Sequence, residues 1–391
     1  MPPDAAAAPA AAAQPDPAAG RRRVRRKVGP REPSKRIVWA DAGRGYSVVL
    51  VVFGHIYNAL YQDVTTTGLI VYLLAMLSVF RMPFFFMIGG VTDNATKGDN
   101  SFDKFVRIIT RTIIVPYLCF ALIGYAVWGT RLYFREITGA SWWQPIPDTL
   151  YGITNSGGEA LAHNFPIWFL TCLASLKLLA FLMRHGGQYR RWIMSLSFIV
   201  AAVVLIDARI RLPWNLEIAA LMLPFFLVGV LVRDEVLQGR WRKIEWPVVI
   251  GGFVVWAALS RINGAVNISD ASFGKLWMFL PASAGALVFS LGVLPRLPRF
   301  KAIEACGRAS ISILGLHYLF IMDLYDPSLR LIAWFTQYMR EDVAFTLVTL
   351  IVATFASTVC VFAHKAFERW LPFVVGKRND PTPPPAREAT P

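Results

Sequence analysis

Residues 41–55 read DAGRGYSVVLVVFGH, and the fold turns on how that stretch is understood. It lies inside an apolar run over about 38–61, long enough as a helix to cross a hydrocarbon core of about 30 Å. Yet the run carries Asp41, Arg44 and His55. Ionisable groups are costly inside a membrane, so they turn toward protein or a water-lined cavity rather than lipid. Eleven residues at about 100° each make three turns plus about 20°, so Arg44 and His55 share one stripe, with Asp41 a turn before Arg44. The rise between them is roughly 16 Å, which puts Arg44 near one membrane surface and His55 in the opposite half.

The rest of the chain agrees with a membrane reading. Of 391 residues, 55% are hydrophobic and 17% charged, with a mean hydropathy of +0.47. That apolar excess is too large for one aqueous core. Ten spans are expected, at about 38–61, 68–91, 112–134, 161–183, 192–208, 214–232, 244–260, 272–294, 309–325 and 343–364, giving an all-α polytopic membrane domain over 37–370. Residues 1–36, rich in Ala, Pro and Arg, read as a disordered basic tail, and 371–391, with PTPPP, as a second. The first is not a cleavable signal peptide, because the apolar run after it is too long and is itself charged.

The net charge of +15 belongs to this topology. Basic residues fall between apolar runs with no nucleic-acid-binding module beside them, so nucleic acid is excluded as a partner and membrane lipid is expected. With the N-terminus inside, the inside segments hold 29 Lys and Arg and the outside segments hold 8. Both termini are then cytoplasmic, and the 135–160 loop, with Trp142 and Trp143, faces out. Cys119, Cys172, Cys306 and Cys360 show neither metal-ligand nor disulfide spacing and read as small buried hydrophobes. No metal is expected, and no permanently bound cofactor.

Other charges mark candidate positions. Arg81, in FRMPFFFMIGG, falls near mid-membrane, where it needs a partner, either Asp41 or a ligand phosphate. Lys104, Arg107 and Arg111 recur at three and four residues on one helical face, and arginine forks suit phosphate. His163 lies at the outer mouth of the fourth span; His317 lies mid-membrane in the ninth, with Asp323 further out.

Five stretches, taken together, resemble the membrane-bound acyltransferase 3 family of bacterial glycan and lipid O-acyltransferases: DAGRG with His55 beyond it, RMPFFFMIGG from Arg81, PIWFL from Pro166, PFFLVG from Pro224, and SISILGLH from Ser310 to His317. The resemblance runs over about 37–370. It implies a bacterial inner-membrane enzyme moving an acyl group, by default acetyl, from cytoplasmic acyl-CoA to a hydroxyl of an extracytoplasmic or lipid-linked saccharide. It matches His55 to the family's catalytic histidine and Arg44 to its first-helix arginine. The family's Arg-x-x-Arg pair is here Arg107 and Arg111, one residue wider but still on one face, with Arg44 as further donor-phosphate ligands.

That chemistry needs a base for the hydroxyl, a stabiliser for the oxyanion, and an anchor for the donor's phosphates. His55 fits the first and Arg44, Arg107 and Arg111 the third; Asp41, Arg81, His163 and His317 are candidates for substrate binding. The stabiliser is not identified by the sequence. The rival reading is a secondary transporter relaying protons through intramembrane His, Arg and Asp, but no internal repeat of the kind common in transporters is visible.

Overall fold

The computed structural model describes residues 38–60, 68–96, 100–134, 142–153, 161–185, 187–237 and 244–377. Among them the backbone is helical almost throughout, in the order α1 (Val38–Leu60), α2 (Gly68–Val91), α3 (Phe102–Ile109), α4 (Val115–Phe134), α5 (Pro145–Tyr151), α6 (Trp168–Leu182), α7 (Gln188–Asp207), α8 (Leu216–Leu237), α9 (Trp246–Asn263), α10 (Leu276–Val293), α11 (Lys301–Arg308), α12 (Ser310–Phe335) and α13 (Glu341–Trp370).

Among the described residues, eight helical stretches are long and apolar enough to cross a membrane. The other two expected spans are the 23-residue α1, which carries the charges of the opening stretch, and the 26-residue α12, which carries His317 and Asp323. The chain is therefore a polytopic helical membrane protein. The tails from 1 to 36 and from 378 onward lie outside the described residues. The expected start of the second tail at 371 needs moving. Residues Pro372–Val375 form a 3-10 turn that buries Val374 and Val375 in the core, and Gly376 packs against the backbone of Arg111 and Thr112.

The third span also begins earlier than its apolar run. A π-type turn at Thr110–Ile114 joins α3 to α4, so one rod runs from 102 to 134. Ser101 caps its start by accepting from the Lys104 amide at 3.3 Å. The α3 part is amphipathic: Phe105 and Ile109 are buried while Lys104, Arg107 and Arg111 are exposed.

Without a hydrophobic drive between helices in lipid, close backbone approach through small residues does much of the holding. Gly90 on α2 lies against the Phe226 carbonyl of α8, and Gly229 on α8 lies against the Met87 carbonyl of α2. Gly45 on α1 meets the Ile303 carbonyl of α11, and Gly307 on α11 meets the Asp41 carbonyl. The short α11 thus clamps the start of α1.

Buried polar ties fix the two ends of the bundle. At the Arg44 end, Lys177 of α6 pairs with Asp93, whose carbonyl accepts from Arg233 of α8. There, too, Ser312 of α12 and His364 Nδ1 of α13 are 2.8 Å apart, and His364 Nε2 lies 3.0 Å from Glu368. At the His55 end, Arg211 Nε donates to Glu217 at 2.7 Å, with Glu217 only 1% exposed.

Candidate active site

His55 sits at the far end of α1 from Arg44, as the stripe requires, and faces Arg81 of α2 across one small, partly open pocket with a cavity volume of about 40 Å³. Val51, Ser78, Met82 and Leu314 supply further wall. The chain entering α6 contributes Phe165, Pro166, Trp168 and Phe169, and the loop between α9 and α10 contributes Val266, Asn267, Ile268 and Ser269. An apolar, aromatic-lined hollow with a few convergent polar groups is the usual form of a small-ligand site.

Helix α1 makes room for Arg81 at Gly54. A methyl on Gly54 would overlap Arg81 Nη1, which lies against α1 and approaches the Leu50 carbonyl at 3.5 Å. The sequence left Arg81 a choice between Asp41 and a ligand. The described residues offer it no carboxylate partner, so its charge faces the pocket it shares with His55. Gly54→Ala should push the guanidinium from this seat at little cost in stability, because only the end of a flexible side chain must move. Acyl transfer should fall at least about tenfold, with protein level and thermal stability near wild type; unchanged transfer would mean that the seat does not matter.

His55 makes ring contacts with Phe165, His317 and Tyr318, at centroid distances of 5.8, 5.3 and 5.9 Å, and has no hydrogen-bond partner among the described residues. Its nitrogens are therefore available to a bound hydroxyl.

The loop of the pocket wall is tied down from below. The Val266 amide donates to Ser78 Oγ at 3.1 Å, and Arg211 Nη2 donates to the Ser269 carbonyl at 3.0 Å and to Asn215 Oδ1 at 2.9 Å. Glu217 holds Arg211 and also accepts from the Leu212 amide at 3.1 Å. Trp214 and Asn215 adopt left-handed backbone, with φ of 59° and 53°. Such conformations persist where surrounding contacts over-determine them; here Asn215 Nδ2 donates to the Gly152 carbonyl at 2.8 Å and Trp214 Nε1 to the Leu150 carbonyl at 3.0 Å. In the same loop, burial pushes the Asp270 carboxyl above its usual range, opposed by the nearby Arg211 charge.

The remaining sequence candidates lie elsewhere. Arg44 donates to Thr92 Oγ1 at the end of α2, beside Asp41, and does not line the His55 pocket. Arg107 and Arg111 are exposed on α3 and the π-type turn, with Arg107 Nε 3.4 Å from the Asp103 carbonyl. His317 lies behind His55 rather than in the pocket wall. Asn58, one turn beyond His55, is exposed. Among the described residues no group of three His, Cys, Asp or Glu side chains has a metal-binding arrangement.

The fourth span begins at Phe165 rather than at 161, which leaves His163 ahead of it; His163 is 3% exposed, with Nε2 3.2 Å from Thr149 Oγ1 of α5. Burial drives its imidazole down to about 4. Between that value and the unfolded value of about 6.5 the unfolded chain binds the extra proton, so stability is full above about pH 6.5 and declines toward pH 4. Wild type should lose up to ~3 kcal/mol across that window. His163→Phe should show a flatter acid limb in thermal-melt measurements; an identical limb would remove this histidine from the account.

The profile of the acyltransferase domain family matches residues 37–364. Nodulation protein NolL of Sinorhizobium fredii (strain NBRC 101917 / NGR234) is 25% identical over 296 residues, covering 69% of this chain and 74% of that protein. No solved structure matches the chain. The family profile covers most of the chain, from the charged first helix into the last long one, so the chain belongs to the acyltransferase 3 family and is a membrane acyltransferase.

Proposed function

We propose that the chain moves an acyl group, by default acetyl, from cytoplasmic acyl-CoA to a hydroxyl of an extracytoplasmic or lipid-linked saccharide, in a bacterial inner membrane. One observation carries the reading: a histidine without a hydrogen-bond partner and an arginine without a carboxylate partner, among the described residues, share one aromatic-lined pocket. His55 takes the proton from the acceptor hydroxyl as its oxygen attacks the thioester carbonyl carbon. Arg81 stabilises the oxyanion that forms, a role the sequence left unassigned. The intermediate collapses with loss of the CoA thiolate, which takes the proton back from His55, so that ester and free thiol are the products.

The polar loop of Asn267 and Ser269, facing Phe165, Trp168 and Phe169, supports a sugar-like acceptor, which offers both hydroxyls and an apolar ring face. The exposed guanidinia of Arg107 and Arg111 suit the donor's phosphates near the opposite end, where Arg44 and Asp41 also lie. His163 supports the acceptor side indirectly, through α5. The test is purified protein with labelled acetyl-CoA. Thioester turnover that rises on adding glycans from the producing cell, with label transferred to them, supports the reading; turnover absent with every acyl-CoA offered overturns it.

The charge asymmetry of the loops supports both termini being cytoplasmic. In a Cys-depleted protein, a Cys at Trp143 should react with an impermeant thiol reagent in intact cells and one at Gly376 should not. The reverse pattern would invert the sidedness of the reaction.

A further inference from the structure

The site as described leaves open what sets the orientation of the His55 ring. A general base works only when one nitrogen is bare toward the hydroxyl, and in enzymes that use histidine this way a second group usually fixes the other nitrogen. Among the described residues, no carboxylate lies against His55. What lies against it from α12 is another imidazole, that of His317, with ring centroids 5.3 Å apart and planes at 45°.

His317 is itself fixed. It is fully buried, and its Nδ1 lies 2.6 Å from the Ile313 carbonyl one turn back on α12. A carbonyl only accepts, so Nδ1 carries the hydrogen. In the neutral ring Nε2 is then a bare lone pair, and that atom is buried without a hydrogen-bond partner. A buried acceptor left unsatisfied is costly and rarely idle. Arg81 donates toward α1, and the Phe165 ring offers no N–H. The neighbouring ring that does carry a movable N–H is His55.

We propose that His317 is the positioning residue of the transfer reaction. Its Nε2 accepts from one nitrogen of His55 as substrate seats the ring, leaving the other nitrogen bare toward the acceptor hydroxyl, and it shares the positive charge that His55 gains in the transition state. The inference rests on the reading of His55 as base. It replaces the expectation that His317 touches substrate, since His317 does not line the pocket.

The test compares four proteins by steady-state transfer with acetyl-CoA and acceptor glycan: wild type, His317→Leu, His317→Gln and His55→Ala, together with the double variant His55→Ala/His317→Leu. Removing the orienting group of a catalytic histidine costs about 10⁴ in kcat where that group is a carboxylate. A neutral acceptor should matter less, so His317→Leu should lower kcat about 100-fold while KM for both substrates stays within about twofold. His317→Gln, whose amide oxygen can still accept, should recover at least about tenfold over Leu. The double variant should be no slower than His55→Ala alone, because His317 acts only through His55. Additive losses, a rise in acceptor KM as the main effect, or a Gln variant no better than Leu would overturn the proposal. Should the Leu variant fail to fold, His317→Phe, which fills the space without offering an acceptor, takes its place, and a kcat there equal to that of the Gln variant overturns the proposal. Full transfer by His55→Ala would bring down the reading of the base itself, which is a different result.

Discussion

His55→Ala should abolish transfer, lowering kcat by about 10³-fold, while the protein still folds and still binds acyl-CoA. The expectation follows from where the side chain is. His55 is half-buried, touches its neighbours through ring contacts, and is not part of a buried ion pair. Its loss therefore leaves a modest gap rather than an unpaired charge. A positioned general base supplies about 10²–10⁴ in rate, so the chemical step bears the whole effect. Donor phosphates would bind some 16 Å away along α1, out of reach of the removed imidazole. Calorimetric titration with acetyl-CoA beside a transfer assay reads both quantities on one preparation. Normal transfer at normal protein level would end the catalytic assignment. Equal loss of donor binding would show that the stripe is a structural feature.

Arg44 makes the informative contrast. On sequence alone its replacement weakens donor binding and nothing else. In the structure its guanidinium ties α1 to Thr92 at the end of α2, next to the Gly45–Ile303 and Gly307–Asp41 contacts that clamp α11. Any binding role is therefore layered on a helix-to-helix tie.

How much was legible in the sequence depends on the range of the interaction. The spans were legible because each apolar run states its own length, and the His55 stripe was legible because one helix has one period. The basic helical face of Lys104, Arg107 and Arg111 was legible too, although its spacing does not say that a π-type turn joins that helix without a break to the third span. What a single period cannot state is which helix faces which. Arg81 could be placed at mid-membrane, but its meeting with Gly54 depends on how α1 and α2 rotate against each other. The same holds for His317, whose distance to His55 is a fact of α12 packing on α1. Residues 261–271 fall between two expected spans, and their broken apolar pattern does not show that 266–269 form a pocket wall. The eight-residue α11 and the turn at Pro372–Val375 were too short to register beside the tails and loops around them. Arg211 was counted simply as an outside loop charge. Its partner six residues on, Glu217, shows itself only in the fold, where the turn at Trp214 and Asn215 brings the two together.

That pair gives the largest expected effect on stability. Glu217→Ala removes the carboxylate that satisfies both Arg211 Nε and the Leu212 amide, and leaves a guanidinium only 17% exposed without its counter-charge. Breaking one side of a buried pair costs about 3–5 kcal/mol, most of it from the charge left behind. The variant should therefore melt well below wild type in detergent. Arg211 also holds the Ser269 carbonyl, so transfer should fall with stability as the pocket wall loosens. The two effects separate in the double variant Arg211→Met/Glu217→Leu. Replacing the whole pair with apolar side chains removes the uncompensated charge and is often neutral for stability, so the melt should recover most of its loss. The hydrogen bonds to Ser269 and Asn215 are not restored, so acceptor KM should stay raised. Recovery of both melt and KM would mean that the loop needs no tie from below, and that the pair serves the fold alone. Failure of the melt to recover would show instead that the left-handed turn at Trp214 and Asn215 depends on the Arg211 hydrogen bonds and not on the charge balance.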